Sequence, residues 1–177
     1  TARLDQEDAY HRILAAYDSS FELVEQGTYS VRDFKLDMLE EIIDDIGNNQ
    51  IVIWCSRTKL LYEAEERMRK LGYTTAIYDG KIDKNLREEG YKQFSEGKIQ
   101  LFFANQASGA FGLDGLREAD YAIYLCNSYS VEQRAQSEDR IHRGNITRNK
   151  YIIDIICKGT CEHSQNFYLN VPSHKEI

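Results

Sequence analysis

The chain has 177 residues, of which 42% are hydrophobic and 29% charged, with a formal net charge of −7. That length fits one domain with a sizeable core. Its composition is that of a soluble globular protein; it contains no run near the roughly 18 apolar residues of a membrane span, no signal peptide is expected, and the acidic balance argues against a protein that coats nucleic acid by bulk electrostatics.

Apolar positions recur at helical spacing over Leu4 to Tyr17 and again over Val31 to Ile46, where Gly47-Asn48-Asn49 closes the segment. These predict two helices ahead of the main fold. From Gln50 onward, short apolar, β-branched or aromatic runs alternate with longer amphipathic segments. The runs are Ile51 to Cys55, Thr74 to Tyr78, Ile99 to Ala104, Tyr121 to Cys126 and Tyr151 to Cys157; helical patterns fall at Thr58 to Leu71, Lys84 to Ser95 and Ser130 to Arg143, with a last helix expected after Gly159. Continuous apolar runs predict strands buried on both faces, and helices of this length supply right-handed crossovers between them. The expected fold is therefore α/β, a three-layer domain around a parallel, doubly wound sheet. In such sheets ligands bind beyond the carboxyl ends of the strands, which directs attention to the loops after Cys55, Tyr78, Ala104 and Cys126.

In the segment Gln136-Ser137-Glu138-Asp139-Arg140-Ile141-His142-Arg143-Gly144, helical geometry puts Gln136, Arg140 and Arg143 at i, i+4 and i+7, on one stripe. Planar forks of donors repeated along a helix suit phosphate oxygens. The alternative is a solvated helix face with arginine paired to Glu138 or Asp139. After the run ending at Ala104 comes Ser108-Gly109-Ala110-Phe111-Gly112-Leu113-Asp114-Gly115, whose glycines let a ligand approach bare backbone amides, or simply make a tight turn. Its spacing imitates a dinucleotide fingerprint, but it comes late in the chain and the helix after it is short. Ser56-Arg57-Thr58 lies between a strand and a helix, where hydroxyls cap free amides and the helix terminus attracts phosphate. Equally informative is what the sequence lacks: no GxxxxGK[ST] phosphate loop and no Asp-Glu pair at a strand end to hold magnesium.

Charge is unevenly spread. Residues 1–50 hold four Lys/Arg against twelve Asp/Glu, a balance of −8, and since the whole is −7, residues 51–177 come to +1. There Arg134, Arg140, Arg143, Arg148 and Lys150 outnumber Glu138 and Asp139, which predicts a local basic site. Of the four cysteines, Cys55, Cys126 and Cys157 sit in or at the end of apolar runs, the ordinary place of a small buried thiol. Cys157 and Cys161 lack a second pair and His11, His142, His163 and His174 are scattered, so no metal site is expected, which suits a reducing cytoplasm.

Taken in order, these segments resemble the C-terminal, second RecA-like lobe of Superfamily 2 helicases and translocases, most closely the Swi/Snf type, including shorter phage and bacterial forms. Leu4 with Gln6 and Tyr10 looks like the stretch joining the two lobes, and Lys35-Leu36 with Leu39 like the helix leading into the first strand. Ile51 to Ser56 is similar to motif IV; Asp79-Gly80, Arg87 and Phe94 keep the spacing of the segment that follows it. Ser108-Gly109 through Gly112-Leu113-Asp114 look like motif V, and Gln136, Asp139, Arg140, His142 and Arg143 like motif VI. Two departures stand out: Arg143-Gly144-Asn145 is one residue shorter than the family's usual ending, and the segment after Gly112 is one residue longer.

The resemblance implies residues 1–48 as a helical lead-in from the interlobe linker and residues 49–177 as the lobe. It implies that Arg140 and Arg143 reach the γ-phosphate of ATP held, with Mg2+, mainly by an N-terminal lobe of the same polypeptide, with no cofactor bound tightly by this chain. Gln136 would position nucleotide or couple the lobes; Gly109, Gly112 and Asp114 would transmit cleft closure; Ser56, Arg57 and Ser108 would hold strand phosphates. The implied partner is DNA, with RNA open, and the implied state a monomer in the cytoplasm, the host's if phage-encoded. A stand-alone nucleic-acid or protein-binding module without catalysis is the alternative, and a nucleotide-sugar or dinucleotide enzyme a further one.

Overall fold

The computed structural model describes residues 31–107, 113–142 and 149–157. Among them, β1 (Ile51–Cys55), β2 (Thr75–Tyr78), β3 (Leu101–Ala104), β4 (Tyr121–Cys126) and β5 (Tyr151–Asp154) form one parallel sheet in the order β2-β3-β1-β4-β5. The helices are α1 (Val31–Ile46), α2 (Thr58–Lys70), α3 (Lys84–Ser95) and α4 (Val131–His142), with a 3-10 helix at Asp114–Glu118. The expected α/β class is the one observed. Expected helices over Leu4 to Tyr17 and after Gly159 lie outside the described residues. The last strand stops at Asp154 although the apolar run continues to Cys157; on the other side of β4, the register with β1 passes from Trp54↔Tyr124 to Cys55↔Cys126, skipping Leu125. Such a bulge re-aims the strand end.

Central strand β1 is buried along its whole length, and period-2 alternation divides its side chains between two cores. Ile51, Ile53 and Cys55 join Leu101, Phe103, Ile123, Leu125 and Ile153 on one face of the sheet, covered by α1 and α2. Val52 and Trp54 join Phe102, Ala122 and Tyr124 on the other, covered by α3, the 3-10 helix and α4. Helix α1 presents Leu39 and Ile43, and α2 presents Leu61, Ala64 and Met68, all fully buried at the i, i+3, i+4 spacing of an inward stripe. Gly47 ends α1 with φ 71°, the left-handed turn its sequence predicts. On the opposite face a Cβ at Gly90 would stand 3.0 Å from the Cβ of Ala76, so glycine is what lets α3 lie directly on β2.

No helix among the described residues is long and apolar enough to cross a membrane. Cys55, Cys126 and Cys157 are buried and free, as their apolar surroundings predict. The Cys55 thiol is pushed well up in pKa by its hydrogen bond to the neighbouring Cys126 and by burial, which leaves it protonated and inert.

Candidate functional site

In this strand order the chain moves to one side of β1 for β2 and β3, then crosses to the other side for β4 and β5. The carboxyl ends of β1, β3 and β4 therefore surround the crevice at which doubly wound sheets take ligands. Each of these ends runs straight from apolar strand into polar residues: Ser56 after β1, Asn105-Gln106 after β3, Asn127-Ser128 after β4. The polar side chains bond one another. Ser56 Oγ donates to the Asn127 carbonyl at 2.9 Å, and its backbone N–H to the Cys126 carbonyl at 2.9 Å. Gln106 donates through Nε2 to Asn127 Oδ1 at 3.1 Å and accepts from the Ser128 N–H at 2.8 Å. Asn105 Oδ1 accepts from the Ala107 N–H at 3.0 Å, and its amide nitrogen lies 3.4 Å from Thr58 Oγ1 on α2.

Asn127 is the junction between these loops and α4. Its Oδ1 also accepts from Arg134 Nη1 at 3.1 Å, and its Nδ2 donates to Asp154 Oδ1 at 2.8 Å. Arg134 is 4% exposed and every edge of its guanidinium is used. Its two terminal nitrogens grip Asp154 at 2.5 and 2.9 Å, Nε donates to Glu138 at 2.6 Å, and the plane lies 3.5 Å from the ring centre of Tyr124. Burial works against this charge, but Asp154 overcomes it and the guanidinium is held even more firmly protonated than usual. Tyr124 completes the cluster: its hydroxyl bonds Ser137 Oγ at 2.8 Å, and burial raises its pKa strongly, so it stays neutral.

With Arg134, Ser137 and Ile141 buried, the rotation of α4 about its axis is set. At about 100° per residue, Gln136 and Arg140 fall on the flank of the buried face, and both side chains are half-buried. Gln136 donates to Glu132 at 3.1 Å, one turn back. Arg140 lies on the same sheet face as Leu113 and Leu116, the described continuation of the glycine-bearing segment. Arg143, Ser108, Gly109 and Gly112 lie outside the described residues, and Asp114 is placed only as the start of the 3-10 helix.

Two sequence expectations change. Arg134 and Lys150, counted toward a local basic site, are buried structural cations: Lys150 Nζ donates to the carbonyls of Arg117 and Ala119 at 2.6 and 2.7 Å and to Asp120 at 3.2 Å. Glu138 pairs with Arg134, one turn back along α4. The Ser56 hydroxyl does not cap α2 either; the N-cap position is Arg57, exposed and without a side-chain cap bond, while Ser56 is turned to Asn127. At the end of β2, Tyr62 donates to the buried Asp79 at 3.4 Å and the Arg87 guanidinium lies 5.3 Å from the Tyr78 ring centre, so the Asp79, Gly80, Arg87 spacing is at least a packed strand-end turn.

Asn105, Gln106, Asn127 and Asp154 were not singled out from sequence. The available signal was Asp154 itself, a charge inside the apolar run Tyr151 to Cys157 that burial obliges to be paired.

A parallel sheet in this order, with polar strand ends at its switch point and an arginine-bearing helix beside them, defines a RecA-like lobe. The chain belongs to the family described as the helicase conserved C-terminal domain, which matches residues 34–145. Its relatives are Swi/Snf-type Superfamily 2 ATPases. Helicase swr1 of Schizosaccharomyces pombe is 28% identical over 131 residues, 72% of this chain and 10% of that protein. Chromodomain-helicase-DNA-binding protein 1-like of Danio rerio is 24% identical over 136 residues, 77% of this chain and 13% of that protein. The chain thus spans about a tenth of the length of these relatives. Among solved structures, the C-terminal part of the Fun30 ATPase domain shares the fold with a TM-score of 0.66 and 24% identity, over 79% of this chain and 45% of that one.

Proposed function

We propose that this chain is the C-terminal motor lobe of an ATP-dependent DNA helicase or translocase, supplying arginines to a nucleotide site and backbone contacts to DNA, and that it does not hydrolyse ATP without an N-terminal lobe of the same polypeptide. The observation that carries the reading is the placement of α4: Gln136 and Arg140 stand half-buried on a helix that packs on the same sheet face as Leu113 and Leu116. Arg143, just beyond Arg140 in the sequence, is assigned the same role through the family resemblance.

ATP with Mg2+, held mainly by the other lobe, would present the γ-phosphoryl group that is transferred. The donors here fit its oxygens: arginine carries only donors and a permanent charge, and a guanidinium supplied from a second body is worth about 10³ to 10⁵ in rate in related phosphoryl transfers. No cluster of three His, Cys, Asp or Glu suited to a metal occurs among the described residues. Gln136 is assigned to orienting nucleotide or coupling the lobes; Gly109, Gly112 and Asp114 to transmitting closure.

Ser56, the exposed Arg57 and Ser108 are assigned to strand phosphates, a contact that reads no sequence. The uncapped start of α2 beside Arg57 supports this, since free amides and the helix dipole favour an anion there. The name of the zebrafish relative favours DNA as the polynucleotide. We assign residues 1–48 to the lead-in and 49–177 to the lobe proper, with α1 docked on its sheet, and place a monomeric parent in a reducing cytoplasm, in keeping with three free buried cysteines.

The test is ATP hydrolysis by the two-lobe parent with duplex DNA, single-stranded DNA and RNA in turn, beside the isolated chain. The reading expects DNA to stimulate the parent and the isolated chain to show no turnover. Turnover by the chain alone, or a parent indifferent to every polynucleotide, would overturn it.

A further inference from the structure

Arg134 belongs to no motif recognised in the sequence, yet it is the residue on which the site converges. A mere ion pair would need one carboxylate. Here one planar group is fixed in three independent ways: a two-pronged grip on Asp154 from β5, an Nε bond to Glu138 one turn along α4, and stacking on Tyr124 from β4. The contacts with Asp154 and Tyr124 fix both the rotation and the axial position of α4 against the sheet, since a rotation of one residue, about 100°, would pull the fork off Asp154. Arg140 and Gln136 are carried by the same helix, so the place of their backbone follows from where Arg134 is held. Through Asn127 the same guanidinium is bonded to the Gln106 amide and, by way of the Asn127 backbone, to the Ser56 hydroxyl. The strand-end loops assigned to DNA and the helix carrying Arg140 are thus joined by one hydrogen-bonded path with Asn127 at its middle.

We infer that Arg134 is a positioning residue for Arg140, and that Asn127 connects it to the DNA-facing loops, so that occupancy of those loops alters the aim of Arg140. This rests on the reading of Arg140 as the arginine lent to the nucleotide site. Arg134 touches no reacting atom; its effect passes through α4. Lysine at position 134 keeps a cation against Asp154 but loses the fork and the planar stack. A displacement of about 1 Å in a catalytic group costs on the order of 10²-fold in rate.

The experiment is a double-mutant cycle in the two-lobe parent, read as kcat and KM for ATP with saturating duplex DNA, well below the unfolding midpoint of each variant. Arg134→Lys is expected to lower kcat about 10²-fold with KM for ATP changed less than about twofold. In an Arg140→Ala background the same substitution is expected to change residual single-turnover hydrolysis by less than about twofold, because the group it positions is gone. Asn127→Ala, which removes neither Arg134 nor Asp154, is expected to reduce the DNA-stimulated rate more than the affinity for DNA. A normal kcat in Arg134→Lys, or equal losses in the presence and absence of Arg140, would overturn the inference while leaving the motor reading in place. A normal kcat in Arg140→Ala would instead remove the reading beneath it.

Discussion

The two faces of the sheet each bury one cation against the carboxyl ends of β4 and β5, and they do so for different ends. On the α1 face Lys35, 2% exposed, sends Nζ to the backbone carbonyls of Leu125 and Ile155 at 2.5 and 3.0 Å. On the α4 face Arg134 takes the side chains of Asp154, Asn127 and Glu138. Lysine, a compact charge on a flexible stem, satisfies strand-end carbonyls and closes an otherwise apolar core. Arginine, a rigid fork, fixes an orientation. The first face supplies stability and the second supplies aim; a substitution on one should therefore be told from a substitution on the other by whether it lowers stability alone or catalytic rate in molecules that remain folded.

The largest effect on stability is expected at Arg134. Removing one partner of a buried, hydrogen-bonded charge group typically costs about 3–5 kcal/mol, so Arg134→Ala should cut the unfolding free energy by about that amount in urea titrations. Replacement of both Arg134 and Asp154 by apolar residues should recover much of it without recovering activity. Leu39→Ala, on the opposite face in a fully buried position of α1, is expected to cost about 3 kcal/mol by loss of contact and creation of a cavity, yet to leave kcat of the folded parent unchanged. Lys35→Met, which keeps the stem volume but takes away the donor to two carbonyls, is expected to cost about 1–3 kcal/mol. It too should leave kcat alone; a rate loss there would blur the distinction between the faces.

Much of this was legible before any coordinates. Helix α3 falls where periodicity put it, and β1 and β4 match their apolar runs, because a strand buried on both faces has no polar residue to obscure its limits. The helicase-like order of segments was legible for a different reason: Ser56 and Asp79-Gly80 fall at strand ends and Gln136 and Arg140 on α4, where the fold gathers chemistry. What stayed hidden was the use of individual charges. On helical spacing alone Arg134 is one more arginine among Glu132, Gln133 and Glu138; only the strand order brings Asp154 beside Tyr124, so that an arginine at the start of α4 meets both. Asn127 was hidden likewise, being a short polar residue in a loop until β1, β3 and β4 come together around it. Lys150 misled in the same way, its charge absorbed by carbonyls before β4.

The most direct test of the whole account is the DNA-stimulated ATP turnover of the two-lobe parent carrying Arg140→Ala, with folding checked by thermal denaturation. The account predicts a fall in kcat of about 10³-fold or more, with little change in the unfolding midpoint or in DNA affinity, because the guanidinium acts on charge that develops only in the transition state. A stably folded Arg140→Ala parent that hydrolyses ATP at the wild-type rate would contradict it.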